Sequence, residues 1–179
     1  MAIRIITDSP SDISINEAKE LNLGIVPLKI TFDEKSYVEG VDISVEEFYK
    51  KLDTSENLPT TSTPSPEDYL THFNQAKEAG DDVIVITLSA GISGTYQGAV
   101  SAGEMVENIE VATFDSEISC MAQGFYVMEA AEMAQAGKGP TEIIARLNEM
   151  KQSLRAYFMV DDLSHLQRGG GPSSAQAII

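Results

Sequence analysis

The stretch that most restricts the fold is residues 83–101, VIVITLSAGISGTYQGAVS. Val83-Ile84-Val85-Ile86 is a continuous apolar, β-branched run, the pattern of a strand covered on both faces, as in a parallel sheet. Thr87-Leu88-Ser89 closes it, Gly91 and Gly94 bracket Ile92-Ser93, and small residues at helical spacing follow. Strand, glycine loop and helix in that order bring hydroxyls and backbone N–H groups to a helix N-terminus, where anions are stabilised. A parallel strand needs crossover connections to its neighbours, so the remainder of the chain has to supply βα units.

It does. Residues 3–7 read as a strand ending in the turn formers Asp8-Ser9-Pro10-Ser11-Asp12. Ser14 and Glu17, in capping-box spacing, signal a helix over 14–21, with Gly24 as its C-cap candidate. Residues 25–31 read as one further strand, Pro27 marking an edge or an irregular start. A hairpin is expected around Asp33-Glu34-Lys35, then a short helix from Ser44 to about residue 52 with Glu47 three positions on. Residues 57–66, NLPTTSTPSP, read as a loop. Its three prolines oppose helix and central strand, and present the hydroxyls of Thr60, Thr61, Ser62, Thr63 and Ser65 from a stiff frame. Helices over 66–79, 94–103, 119–136 and 141–154, with strands over 109–114 and 157–160, complete the pattern.

The fold class expected is α/β, a mostly parallel sheet flanked by helices, with its ligand crevice beyond the carboxyl ends of the strands. Three strand ends carry like chemistry to that rim: Thr7-Asp8-Ser9, Thr87-Leu88-Ser89 and Phe114-Asp115-Ser116. Residues 1–160 are expected to form this domain, and 161–179 a linker and the start of a truncated second one. The run Ala175-Gln176-Ala177-Ile178-Ile179 reads as a helix just begun, as in a fragment.

Composition narrows the chemistry. Against 28 acidic residues stand only 12 Lys and Arg, a formal charge of −16 that repels nucleic acid and anionic membrane surfaces. No run approaches the ~20 apolar residues of a membrane span. One cysteine, Cys120, excludes an intramolecular disulfide and fits a reducing compartment, so a cytoplasmic location is expected; the thiol itself reads as buried and structural. Of the two histidines, His72 reads as a solvated helix-face residue and His165 as a polar or capping residue rather than a general base. Gly91-Ile92-Ser93-Gly94 is one glycine out of register with the nucleophile elbow, no local spacing makes a metal set, and no Walker lysine follows the glycines. Two readings of the rim remain. Either Ser93 and Thr95, helix N–H groups and the proline-braced Thr61 and Ser62 capture an anion with neutral donors, or Asp8, Asp115 and Ser93 act on a small carboxylated or phosphorylated substrate. Ser93 as a plain helix cap is compatible with the first.

ITDSPSDIS, PTTSTPSPEDY, SAGISGTYQGA, FDSEISCMAQGFY and DDLSHLQRGG followed later by SSAQAII, in this order, resemble the DegV family of bacterial fatty-acid-binding proteins along the whole chain. The resemblance implies an N-terminal α/β domain, a second domain not represented here, and a long-chain fatty acid between them. It implies that Thr61, Ser62, Ser93 and Gly94 hold the carboxylate, with the helix over 119–136 walling the tail. It further implies a carrier rather than an enzyme, without catalytic residue, metal or cofactor, presenting the fatty acid to a partner kinase that makes the acyl phosphate. His165 and Arg168 are then the candidate partner contacts.

Overall fold

The computed structural model describes residues 2–157 and 159. In chain order the elements are β1 (Ile3–Asp8), a 3-10 turn (Ser9–Ser11), α1 (Ile15–Glu20), β2 (Gly24–Val26), β3 (Lys29–Phe32), β4 (Lys35–Val38) and α2 (Val45–Thr54), then β5 (Thr60–Ser62), α3 (Pro66–Ala79), β6 (Asp82–Thr87), α4 (Thr95–Glu104), β7 (Val111–Asp115), α5 (Cys120–Gln135) and α6 (Pro140–Ser153). Among the described residues the chain divides into two compact units: 2–28 with Thr63–Arg155, and Lys29–Ser62 with 156, 157 and 159. The expected linker and second-domain start at 161–179, with His165 and Arg168, lie outside the described residues, as do 158 and 160 of the strand expected over 157–160, whose described residues 157 and 159 are in no strand.

The first unit is a four-stranded sheet of order β2-β1-β6-β7, parallel throughout. Every residue of β6 is buried, as its uninterrupted apolar run requires. Alternate residues feed opposite faces. Ile84 and Ile86 join Ile5, Tyr126, Val127, Ile143 and Leu147 under α1, α5 and α6, whereas Val83 and Val85 join Ile6, Val26, Tyr69, Phe73 and Ala99 under α3 and α4. Small residues let α5 approach closely. A Cβ on Gly124 would sit 2.8 Å from the Ser11 carbonyl oxygen. Capping follows the sequence: Ser14 and Glu17 form the expected box on α1, and Ser44 and Glu47 the one on α2. Pro66 occupies the first turn of α3.

The second unit is an antiparallel sheet of order β4-β3-β5, covered on one side by Ile30, Phe32, Tyr37 and Ile43, with Phe48 of α2 packed against them. Asp33 turns the expected hairpin with φ +52°, so that Phe32 faces Lys35.

Five expectations need correction. The strand over 25–31 is two strands, because Pro27 cannot donate to a ladder: β2 pairs with β1, while β3 belongs to the other sheet. Gly24 caps nothing; Asn22 takes the left-handed conformation at φ +55°, and Gly24 is a buried strand residue over which the His72 ring packs, 3.0 Å from where a Cβ would stand. His72 is accordingly half-buried, not solvated, and its Nε2 lies 3.1 Å from the Ile25 carbonyl. Cys120 is exposed rather than buried, since it is the first residue of α5, on a backbone turned to φ +60° by the loop before it. The 57–66 loop also contains β5, an edge strand of three residues, the one sheet position its flanking prolines permit.

Candidate functional site

In the first unit the chain leaves β1 for α1 on one face and β6 for α4 on the other, so the strand order reverses between β1 and β6. The crevice of such a sheet lies outside the carboxyl ends of those two strands. What stands there is the end of β1, Thr7-Asp8, and the segment 88–95 that joins β6 to α4, LSAGISGT, which holds no charged side chain.

That segment is folded by its own hydroxyls. Ser89 Oγ accepts the Gly91 N–H at 3.1 Å, and the Ser89 carbonyl oxygen accepts from Ile92 and Ser93. Ser93 Oγ accepts the Thr95 N–H at 3.2 Å and lies 2.8 Å from Thr95 Oγ1, a local turn one residue ahead of the helix; the N-cap position of α4 belongs to Gly94, so Ser93 is not the helix cap expected of it. Among the described residues, Gly94 is the position from 88 to 95 whose N–H is not taken up within the protein. It immediately precedes the first turn of α4, where helix geometry leaves further N–H groups without intrahelical acceptors. Thr95 is fully buried, Ser93 half-buried and Gly94 exposed. Thr63, in the same unit, lies beside the loop: its methyl is 3.9 Å from the position of a Cβ on Gly94.

Neighbouring strand ends hold the segment. Asp8, fully buried, accepts the Leu88 N–H at 2.9 Å through one carboxylate oxygen and Gln123 Nε2 at 2.7 Å through the other. Gln123, also fully buried, reaches Thr7 Oγ1 at 3.0 Å as well. Asp115 Oδ1 accepts from Ala90 at 3.1 Å and from Glu117 at 2.9 Å. The Ser89 N–H goes to the Ile118 carbonyl at 2.8 Å. On the other face, the Tyr69 hydroxyl donates to the Thr95 carbonyl; burial, and then the charges of Asp8 and Asp68, push its pKa far above the usual phenol value. Thr87 Oγ1, at the last residue of β6, is buried without a hydrogen-bond partner among the described residues, an unmet demand of the kind native interiors rarely leave.

Of the residues expected from sequence, the structure brings Ser93, Gly94 and Thr95 together. Thr61 and Ser62 are exposed residues of β5 in the second unit, paired with Ile30 and Lys29. His165 and Arg168 fall outside the described residues. Sequence reasoning missed Gln123; the signal was a lone amide inside an apolar helix of Ala, Met and Gly. No group of three or more His, Cys, Asp or Glu suited to a metal occurs among the described residues.

The DegV family model, described as an uncharacterised protein, matches residues 2–179. The chain belongs to the DegV family. Protein DegV of Bacillus subtilis is 46% identical over 180 residues, which is 100% of this chain and 64% of that protein. A DegV domain-containing protein of Listeria monocytogenes is 47% identical, covering 99% of this chain and 63% of the relative. The crystal structure of the Bacillus subtilis protein, described as DegV, a fatty acid binding protein, superimposes with a TM-score of 0.92 at 45% identity, over 99% of this chain and 64% of that one. A Thermus thermophilus DegV family structure, described by its fatty acid binding, gives 0.87 at 30% identity, over 100% and 64%. The chain thus spans less than two thirds of these relatives. The α/β fold, with its parallel sheet flanked by helices, is that of the DegV structures. No helix among the described residues is long and apolar enough to cross a membrane.

Proposed function

We propose that this chain is the N-terminal part of a cytoplasmic, non-catalytic carrier. It binds a long-chain fatty acid and presents the carboxylate to a partner kinase that forms the acyl phosphate. The observation that carries the reading is the charge-free segment 88–95 at the strand-order reversal, with the Ser93 hydroxyl and an unengaged Gly94 N–H at the start of a ten-residue helix. A carboxylate gains from such donors and from the helix field without needing a lysine. Thr61 and Ser62 are the further donors in this reading, and residues beyond 160, with His165 and Arg168, the start of the second domain and the partner contact. Relatives described as fatty acid binding proteins support the ligand class.

The catalytic alternative loses its acids. One oxygen of Asp8 and one of Asp115 accept backbone N–H groups, the other Asp8 oxygen accepts Gln123 Nε2, and among the described residues no His, Lys, Asp or Glu is hydrogen-bonded to Ser93, whose hydroxyl is paired with Thr95. Lipid extracted from the purified protein should contain a long-chain fatty acid, and the delipidated protein should bind palmitate in calorimetry. Loss of one hydrogen bond to the carboxylate is worth ~1.5–3 kcal/mol, so Ser93→Ala should weaken binding roughly tenfold to a hundredfold. Protein that neither carries nor binds a fatty acid would falsify the reading.

A further inference from the structure

We propose that Asp8 and Asp115 are positioning residues: their carboxylates clamp the two ends of the 88–90 backbone between the flanking strands β1 and β7, and so set where the Ser93 and Gly94 donors stand. This rests on the fatty-acid reading of that segment and adds to it the groups that hold the donors in place.

The geometry is specific. Segment 88–95 springs from the central strand β6, and its first residues are fastened on each side by the last residue of the neighbouring strand: Asp8 of β1 to the Leu88 N–H at 2.9 Å, and Asp115 of β7 to the Ala90 N–H at 3.1 Å. Between them the Ser89 N–H is bound to Ile118, three residues beyond Asp115. Each carboxylate is itself fixed from outside the segment, Asp8 by Gln123 of α5 at 2.7 Å and Asp115 by the Glu117 N–H at 2.9 Å. Three consecutive N–H groups are thereby consumed, and the fold past Ser89 directs the next unpaired one, at Gly94, outward. A site held by neutral donors depends on such prior placement, because no long-range charge draws the ligand into register.

The two carboxylates differ in a way that makes the inference testable. Asp115 receives both N–H groups on one oxygen, so an asparagine carbonyl can replace it. Asp8 uses each oxygen for a different donor, so an asparagine there keeps both bonds only if the Gln123 amide turns to offer Oε1, which gives up the Gln123 Nε2 bond to Thr7 Oγ1.

The experiment is amide hydrogen exchange by mass spectrometry on the full chain, with calorimetric titration of palmitate, for the wild type and for Asp115→Ala, Asp115→Asn and Asp8→Asn, each checked for an unchanged thermal midpoint. Asp115→Ala should speed exchange across 88–95 at least tenfold and weaken palmitate binding about tenfold, Asp115→Asn should restore both to within twofold, and Asp8→Asn should resemble Asp115→Ala. Exchange within twofold of wild type in both Asp115→Ala and Asp8→Asn overturns the inference, as does an asparagine at 115 no better than alanine. A wild-type chain that binds no palmitate overturns the fatty-acid reading instead, while exchange still decides whether the clamp holds the segment.

Discussion

The two hydroxyl-bearing segments of this chain are built in opposite ways. Segment 88–95 follows a strand buried along its whole length and is fixed by backbone N–H bonds to two neighbouring strand ends. Thr61 and Ser62 sit on a three-residue edge strand whose residues are all exposed. The first is positioned by a core, the second by one ladder and its prolines. Donors of the first kind lose little freedom when they meet a ligand, whereas donors of the second kind must be ordered by it.

The contrast can be broken most strongly from below. Phe73 is fully buried against Tyr69, ring centroids 6.1 Å apart, on the sheet face that carries α4. Phe73→Ala should cost about 3–5 kcal/mol in urea unfolding, whereas Val45→Ala on α2, at a residue 74% exposed, should stay within ~0.5 kcal/mol. A smaller effect is expected at Gly24. Alanine there meets His72 Nδ1 and an Ile6 side-chain carbon, both at 3.0 Å, and should lose ~1–3 kcal/mol by the same assay.

These predictions also mark what sequence could and could not reveal. β6, the capping boxes of α1 and α2, and the helix start at Pro66 were legible because each rests on local chemistry: an apolar run, a paired serine and glutamate, a proline in a first turn. Pro27 marked an irregularity, but whether a strand bends or changes sheet is decided by distant partners. Ser93 was recognisable as a hydroxyl at a helix start from its neighbours, but not that Gly94 takes the N-cap position. The roles of Asp8, Asp115 and Gln123 were not, because Gln123 and Asp8 are 115 positions apart and meet only once the sheet is built. Cys120 was misplaced for the converse reason: an apolar helix has an exposed first turn, and composition does not say which residue opens it.

Proton linkage gives the mildest test. Burial, outweighing the bond to Ile25, lowers the His72 pKa below its ordinary value of 6.5, with the charge of Arg4 acting the same way. The unfolded chain therefore binds the proton more readily. The stability gained by keeping His72 neutral is complete above pH ~6.5 and is lost as pH falls below it. The urea midpoint should drop between pH 7.5 and 5.5, and His72→Gln should flatten that slope. An equal slope in the variant would assign the titration to another group.

The central claim, that neutral donors at the head of α4 hold a carboxylate, is tested most directly by NMR of palmitate labelled with 13C at its carboxyl carbon. With the wild-type chain, the account predicts a bound carboxyl signal distinct from free palmitate, which Ser93→Ala shifts or abolishes while Val45→Ala leaves it in place. A bound signal identical in the wild type and Ser93→Ala, or no bound signal at all, contradicts it.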